Sequence, residues 1–335
     1  MNMFIDLKGK TAFITGGASG MGLGIAKACA REGMNVAIAD FRQSAIDEAV
    51  PWFEKHGFPV MGVNLDVTDR EGYVKAADAV EAKFGKIHVL VNNAGIGNAE
   101  PKLTTGEFDW KTIDLCIDVN YRGILNGIGT ILPRITKHGE GGYVVSTASM
   151  SGIFPVKGFP MYDSLKMGVI TLMEELAMEL EGTNVGSAAF CPGPYSTNLG
   201  TSSQEVIKKH LGEDALPKMP ARREPPKDKD GKPLPMPKFE PPKDENGNPI
   251  DFSKLSRDPD DAGERVVRGI KRGDKFIFTH VDFKPGWELR MNAILRAFPD
   301  EKPTPGFATV FRGNVYNPIY EQQEQVPAFE FVKKD

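Results

Sequence analysis

The chain carries a tyrosine and a lysine four residues apart, Tyr162 and Lys166, in the stretch PMYDSLKMG. Four residues is about one turn of a helix, so the two side chains are expected on the same helix face. A free phenol has a pKa of about 10 and is a poor base at neutral pH. A nearby ammonium favours the phenolate and lowers the pKa of the phenol. The pair predicts a tuned proton acceptor, although two exposed helix residues give the same spacing.

A glycine-rich turn, TGGASGMG, lies near the N-terminus between an apolar run and an amphipathic segment. Gly16 can make the tight turn, Gly20 lets the backbone approach a pyrophosphate, and Gly22 permits close packing of helix on strand. The N–H groups and the dipole at the start of the helix then attract phosphate. We therefore predict a dinucleotide site that also includes Ser19 and Met21, rather than a plain turn.

An acidic residue, Asp40, ends the second apolar run, 24 residues after Gly16. At that place a carboxylate accepts hydrogen bonds from the adenosine ribose diol and repels a 2′-phosphate. Arg42 is able in principle to hold such a phosphate, but we interpret it as a solvated residue in the first turn of a helix. Ser19 and Phe41 carry no positive charge. The predicted cofactor is therefore NAD rather than NADP.

Short apolar runs alternate with amphipathic segments over the first 200 residues, and the segments are 22–32, 43–56, 69–84, 107–137 and 161–181. Apolar strands separated by helices are typical of a parallel sheet covered on both faces. We predict a Rossmann-type doubly wound α/β sheet, with ligands at the carboxyl ends of its strands. Asp66 and Val67 at the end of the third strand, and Asn93 at the end of the fourth, are expected beside adenine and ribose.

The composition changes after about residue 212. Eleven of the 25 prolines lie between 213 and 260, where PPKDKDGKPL and PPKDENGNPI repeat sixteen residues apart. Few apolar residues occur there, so we predict a long Pro/Lys-rich insertion, as a lid, an arm or a solvated loop. The turns DKDG and DENG lack the ligand pattern of a calcium loop. The predicted organisation is a single domain, with the NAD-binding and catalytic core at 1–212, the insertion at 213–260 and the rest at 261–335.

Regular structure is expected to resume after the insertion. DPDDAGERVVRGIKRG predicts a helix that opens with acidic and closes with basic residues, KFIFTH a strand, and PGWELRMNAILRAF a further helix. The tail from 304 contains six aromatic residues, which are costly to leave in water. We expect this extended C-terminal tail to wrap over its own domain or over a neighbouring subunit.

Composition narrows the class of protein. A net charge of -4 and a pI near 5.9 argue against nucleic acid as a partner. No apolar run is long enough for a membrane span, and no signal peptide is evident. Three separated cysteines suggest buried thiols in a reduced compartment, and the five histidines lack metal-ligand spacing. We therefore expect a cytoplasmic protein without a membrane partner or a metal site.

The motifs together resemble those of the classical short-chain dehydrogenase/reductase family over residues 5–200, with weaker similarity to about 300. They occur in the family's order: TGGASGMG, LDV, NNAG, DVNYRG, STASMSG, YDSLK and PGPYST. The resemblance implies a catalytic tetrad of Asn120, Ser149, Tyr162 and Lys166, with Ser149 at the usual thirteen residues before the tyrosine. It also implies that Asn120 binds a water that links Lys166 to solvent.

The resemblance implies further cofactor contacts from Tyr162, Lys166, Pro192 and Thr197, the last to the nicotinamide carboxamide. The chain departs from the family at Tyr195, where Val or Ile is usual beside the nicotinamide. The tyrosine either bulges the backbone slightly or narrows the substrate pocket.

Apolar residues surround the predicted reaction centre, although some of them are expected to be ordinary core: Phe154, Val156, Phe159, Pro160, Phe190, Tyr195, Trp287 and Met291. They predict a secondary alcohol or ketone on a hydrophobic, aromatic molecule. AFITGGASG and GERVVRGI with FIFTH resemble the bacterial NAD-dependent Cα-dehydrogenases that oxidise the benzylic alcohol of lignin-derived aryl ethers. The alternative is a steroid, a terpenoid or another bulky alicyclic alcohol.

Two further possibilities concern partners. A non-catalytic NAD-binding sensor or scaffold is an alternative to an enzyme, but it does not require the tetrad. The family commonly forms homodimers and homotetramers through the long helices predicted at 107–137 and 161–181. An apolar stripe of Leu172, Met173, Leu176 and Leu180 suits such an interface, and it suits the core equally well.

Overall fold

A computed structural model describes residues 6–97, 100–216, 242–243, 245–251 and 255–334. Seven parallel strands form one sheet in the order β3-β2-β1-β4-β5-β6-β7. The strands, β1 to β7 in chain order, are Thr11–Thr15, Asn35–Asp40, Val60–Asn64, Val89–Asn92, Gly142–Thr147, Val185–Cys191 and Phe276–Phe278. The order reverses between β1 and β4, so the predicted Rossmann-type doubly wound sheet in a single domain is confirmed.

Helices cover both faces of the sheet. The helices, α1 to α11 in chain order, are Gly20–Arg31, Gln43–Lys55, Arg70–Phe84, Trp110–Ile117, Gly123–His138, Pro160–Glu179, Leu199–Leu211, Pro259–Arg272, Lys284–Arg296, Phe307–Val310 and Arg312–Val315. Helices α1, α2 and α8 pack on one face, and α3 to α7 pack on the other. The stripe on α6 packs in the core, since Met173, Leu176 and Leu180 are buried and Leu172 is partly buried there. Of the two roles expected for this stripe, the core is thus the one that three of its four side chains take in the chain itself.

Helices α1 and α8 approach each other closely because both carry a glycine at the crossing. A Cβ on Gly24 would lie 2.1 Å from the carbonyl oxygen of Pro259, and one on Gly263 would lie 2.1 Å from that of Gly24. Any side chain at either position would force the helices apart. This contact holds α1, whose N-terminus faces the cofactor cleft, against the C-terminal part of the chain.

The helix predicted at 107–137 is not continuous. A π-helical turn, Asp118–Arg122, separates α4 from α5 and contains the buried Asn120. Such turns are rare and often occur at functional sites. The periodicity of apolar residues continues across the turn, which is why the sequence predicted one helix.

Much of the predicted insertion at 213–260 lies outside the described residues, including the whole first copy of the repeat. In the second copy, Lys243 and Pro249 form an isolated antiparallel bridge around a turn. The chain then returns to the end of β6, where Arg257 pairs with Tyr195. The N–H of Ser196 donates to the Arg257 carbonyl at 2.9 Å, so the returning segment braces the loop after β6.

The C-terminal tail packs on its own domain. The side-chain oxygen of Gln323 accepts the N–H groups of Lys275 and Phe276 at the edge of the sheet. Further on, Phe329 lies against the guanidinium groups of Arg265 and Arg268 on α8. The end of the tail thus packs on its own domain, whereas Phe307, Phe311, Tyr316 and Tyr320 remain exposed. Within the described ranges, no helix is long and apolar enough to cross a membrane.

Candidate active site

The glycine-rich turn has the geometry that phosphate binding requires. Gly16 and Gly20 adopt positive φ angles of 60° and 52°, which side chains other than glycine rarely adopt. A Cβ on Gly22 would lie 2.0 Å from the Gly16 carbonyl oxygen. Glycine at these positions therefore lets the backbone turn tightly and bring the start of α1 to the sheet edge.

The first turn of α1 leaves its backbone N–H groups available to a ligand. Ser19 precedes the helix, but its side chain caps none of these groups, and no acidic residue lies in the first turn. A helix N-terminus of this kind binds phosphate through its N–H groups and its dipole. The residues present therefore fit a dinucleotide pyrophosphate.

A cleft extends from this turn along the carboxyl ends of β1, β2 and β4. Nine predicted cofactor residues line it: Gly16, Ser19, Gly20, Met21, Asp40, Asp66, Val67, Asn93 and Thr197. Two do not. Gly22 packs beneath the turn, and the Pro192 carbonyl accepts the N–H of Met150, beside Ser149.

Arg42 is not the solvated residue that the sequence suggested. Its guanidinium is only 13% exposed and lies in the cleft, where it donates to Asp40 Oδ1 at 3.2 Å and to Ser19 Oγ at 2.7 Å. The ribose end of the cleft therefore holds a carboxylate and a guanidinium in contact. The sequence motif did not reveal this pair, because it depends on the path of the backbone after β2.

Helix α7 forms a wall of the cleft that sequence reasoning missed. Asp66 Oδ2 accepts hydrogen bonds from Lys209 at 3.1 Å and from His210 at 2.8 Å. Burial acts to raise the pKa of the Asp66 carboxyl, but hydrogen bonds from Thr68 and Lys209 bring that pKa below its ordinary value. Asp66 lies two residues beyond β3, whereas the sequence placed it at the strand end.

The residues of the predicted tetrad meet at the carboxyl ends of β4 and β5. Tyr162 and Lys166 share a face of α6, and the Lys166 ammonium lies 5.5 Å from the centre of the phenol ring. Ser149 follows β5, and its hydroxyl lies close enough to the phenol to act on the pKa of Tyr162, which it lowers. Asn120 binds the backbone of Ile96 through both its amide oxygen and its amide nitrogen, each at 2.9 Å. Its side chain therefore fixes the segment after β4.

The protonation of this centre depends on which charges surround the phenol. In the chain by itself, burial raises the pKa of Tyr162, and the charges of Asp163 and Glu100 raise it further, whereas the Ser149 hydrogen bond lowers it. Burial also lowers the pKa of Lys166 to about 8. The ammonium donates to the Thr147 carbonyl at 2.7 Å. Without further positive charge the phenol thus stays protonated.

Tyr195 points away from the predicted substrate side. Its hydroxyl donates to Asp261 Oδ2 on α8 at 2.7 Å, and its ring packs against the core between the sheet and α1, α2 and α8. The side chain therefore does not narrow the substrate pocket. It ties the loop after β6 to α8 instead.

Apolar residues beside the tetrad divide into wall and core. Phe190 is fully buried in the sheet core, so it is not a pocket wall. Phe154, Val156 and Phe159 are 36%, 41% and 43% exposed on the segment that leads into α6. Helix α9, which bears Trp287, packs on this segment, and Arg290 donates to the Ile153 carbonyl at 3.1 Å. The site thus combines a proton-transfer centre with an apolar wall.

Comparison with known proteins agrees with this geometry. A family model described as short chain dehydrogenase matches residues 10–207. The C alpha-dehydrogenase of Sphingobium sp. (strain NBRC 103272 / SYK-6) is 37% identical over 202 residues, which are 59% of this chain and 65% of that protein. The alignment thus spans less than two thirds of that relative's length.

Two solved structures share the whole architecture. A short chain dehydrogenase/reductase from Burkholderia phymatum, in complex with NAD, has a TM-score of 0.71 and 25% identity over 90% of this chain and 99% of that chain. The apo form of LigD from Sphingobium sp. strain SYK-6 has a TM-score of 0.65 and 27% identity over 88% of this chain and 100% of that chain.

Replacing Lys166 by methionine tests the cost of burying its ammonium. The pKa of Lys166 falls from its ordinary 10.5 to about 8 on folding, so the folded chain binds the proton less tightly than the unfolded chain. We expect K166M to raise the free energy of unfolding by about 1–3 kcal/mol at pH 7, after the loss of the bond to Thr147 is included. The gain should shrink between pH 8 and 10.5, where the folded lysine is neutral and the unfolded lysine still carries its proton, so that wild type becomes more stable as the pH rises.

Urea unfolding of both proteins at pH 7 and pH 9.5 measures this difference. Lys271→Met is the matched control, because Lys271 is an exposed lysine paired with Glu32. A K166M protein that is less stable than wild type at pH 7 would contradict the claim that burial of the ammonium destabilises the folded chain. So would a difference that does not change with pH.

Proposed function

The chain belongs to the short-chain dehydrogenase family, and from that premise we propose that it is an NAD-dependent oxidoreductase that interconverts a secondary alcohol and a ketone. The observation that carries the proposal is that Tyr162 and the buried Lys166 lie one helical turn apart, with Ser149 near the phenol, and that Lys166 lies next to Gly95, which lines the cleft of the glycine-rich turn. A proton acceptor, a hydroxyl donor and a cation at one end of a dinucleotide cleft suit reactions that move a hydride and a proton together.

Each residue has a distinct task in this mechanism. The Ser149 hydroxyl orients the substrate oxygen and stabilises its negative charge. Tyr162 takes the hydroxyl proton during oxidation and returns it during reduction. The Lys166 ammonium supports the phenolate, and Asn120 belongs to the proton path that the family resemblance implies. The cleft residues, which include Thr197, would hold NAD together with Pro192. The nicotinamide of NAD accepts or supplies the hydride when it is bound.

We propose a hydrophobic, benzylic alcohol or ketone as substrate. Exposed Phe154, Val156 and Phe159 lie on the segment that enters α6, three to eight residues before Tyr162. Such a wall lowers the free energy of an aromatic group leaving water. Similarity to the C alpha-dehydrogenase of Sphingobium supports the same class of substrate. A bulky alicyclic alcohol is the alternative that the same wall accommodates.

We propose NAD as the cofactor, because Asp40 is buried at the end of β2 with its carboxylate in the cleft. The Arg42 guanidinium is engaged by that carboxylate, and a 2′-phosphate would have to compete with Asp40 for it. The NAD complex of the Burkholderia phymatum neighbour is consistent with this preference.

We propose a homodimer or homotetramer in solution. The support is the set of large apolar side chains exposed on α9 and around the start of α4, among them Leu289, Leu295, Phe108 and Trp110. Static light scattering measures the mass, and we expect a multiple of the 36.7 kDa chain. A monomeric mass at micromolar concentration would contradict the proposal.

Replacing the phenol tests the reaction itself. Tyr162→Phe removes the proton acceptor and keeps the ring, so we expect kcat for NAD reduction with 1-phenylethanol-type alcohols to fall by at least about a hundredfold. Tyr316→Phe, on the exposed tail, is the matched control. Full activity of Y162F would reject the mechanism. NAD binding by wild type without turnover of any benzylic or alicyclic alcohol or ketone would favour the sensor alternative.

Cofactor choice is tested by removing each member of the Asp40–Arg42 pair. Asp40→Ala removes the ribose acceptor and releases the guanidinium, so the ratio of kcat/KM for NAD over NADP should fall by about a hundredfold. Arg42→Ala should leave the ratio in favour of NAD. The measurement is steady-state kinetics with both cofactors. A wild type that prefers NADP, or a D40A variant with an unchanged ratio, would show that Asp40 does not select the cofactor.

A further inference from the structure

Glu100 holds the first turn of the helix that carries Tyr162 and Lys166. Its carboxylate oxygens accept the backbone N–H of Met161 at 2.9 Å and that of Tyr162 at 3.3 Å. Phe159, the residue before α6, makes no side-chain cap. The segment after β4 thus supplies the cap that the helix itself lacks, and it does so at the backbone of the catalytic tyrosine.

A second carboxylate lies in the same turn. Asp163 is 5% exposed, and its Oδ2 accepts the N–H of Val156 at 2.6 Å. Its Oδ1 is buried and has no hydrogen-bond partner among the residues described. Within the described residues neither Asp163 nor Glu100 forms a salt bridge, and the ammonium of Lys166 lies 5.5 Å from the centre of the Tyr162 ring.

We propose that Glu100 is a positioning residue for Tyr162: its carboxylate accepts the backbone N–H groups of Met161 and Tyr162 and so fixes the first turn of α6 at the phenol. This inference rests on the proposed function of Tyr162. It assigns Glu100 two effects on the pH profile of kcat that can be measured separately. One is on the plateau value of kcat, and the other is on the pH at which kcat falls on the acid side.

The sign of the charge effect follows from the groups around the phenol. Burial raises the pKa of Tyr162 first, and the charges of Asp163 and Glu100 raise it further, while Ser149 lowers it. On α6, Lys166 opposes the two carboxylates. On neighbouring elements Arg290 is held by the Ile153 carbonyl, Lys157 is exposed, and Cys116 and Cys191 are buried thiols. Removing the charge of Glu100 should therefore make the phenolate accessible at lower pH.

The experiment is the pH profile of kcat for alcohol oxidation by Glu100→Gln, Glu100→Ala and wild type. The glutamine oxygen can accept only one of the two N–H groups well, so the E100Q plateau should fall about threefold, and the E100A plateau about tenfold. In both variants the acid side of the profile should move to lower pH. At a pH well below the wild-type midpoint, the rate relative to its own plateau should rise about threefold.

Glu107→Gln is the matched control, because Glu107 lies in the same segment, is exposed and is paired with Lys102. It should leave the plateau and the midpoint unchanged. A lower plateau with an unchanged midpoint in E100Q would reduce Glu100 to a structural cap and overturn the proposal. A midpoint that moves to higher pH would overturn it as well.

A titration that requires no enzymatic turnover tests the role of Glu100 independently of the proposed function. The ultraviolet difference titration between each protein and its Y162F derivative reports ionisation of the Tyr162 phenol directly. We expect the phenol to ionise at lower pH in E100Q than in wild type, whether or not a substrate is found. If Y162F abolishes activity and E100Q titrates like wild type, only the inference on Glu100 fails. If Y162F retains activity, the proposed function fails first.

Discussion

The hydrogen bond from the Lys166 ammonium to the Thr147 carbonyl ties the helix of the reaction centre to the end of β5. It fixes where α6 meets the sheet edge, and Ser149, two residues after that carbonyl, is thereby placed against the phenol. An ammonium buried to this degree is unfavourable unless it is hydrogen-bonded, so the bond compensates part of a cost that the fold accepts for function. The π-turn at Asn120 serves the same end, because it binds Ile96 and fixes the segment after β4.

The sequence predicted the architecture correctly because the patterns that indicate strands and helices are local and recur along the chain. The apolar runs of the first 200 residues form strands β1 to β6. The glycines at 16, 20 and 22 have the turn and packing geometry that their spacing indicated. Nine of the predicted cofactor residues line one cleft for a simple reason: the carboxyl ends of parallel strands meet at one edge. The placement of Asn120, Ser149, Tyr162 and Lys166 rested on the family resemblance, since spacing alone left Tyr162 and Lys166 indistinguishable from two exposed helix residues.

The features that escaped prediction depend on contacts between distant segments. Asp66 meets Lys209 and His210 more than 140 residues later, and Glu100 meets the start of α6 about 60 residues later. The sequence predicted Arg42 to be a solvated helix residue, because hydropathy carries no information on the direction of a side chain. Tyr195 departs from the family pattern, yet its hydroxyl finds Asp261 on α8, on the face of the sheet opposite to the substrate side. The π-turn also escaped prediction, because buried residues occur on both sides of it and within it, as they would in one helix.

The cofactor cleft illustrates a general consequence of such internal pairs. Its acidic groups, Asp40 and Asp66, are each held by cations of the chain itself, Arg42 in one case and Lys209 with His210 in the other. A ligand hydroxyl or amine that binds either carboxylate must share it with these cations or displace them, so the net gain is the difference between two charge-assisted interactions. The acidic residue at the end of β2 therefore indicates a preference between cofactors, whereas the size of that preference depends on how firmly Arg42 stays bound. Selectivity at this end of the cleft is thus a property of the Asp40–Arg42–Ser19 cluster rather than of Asp40 alone.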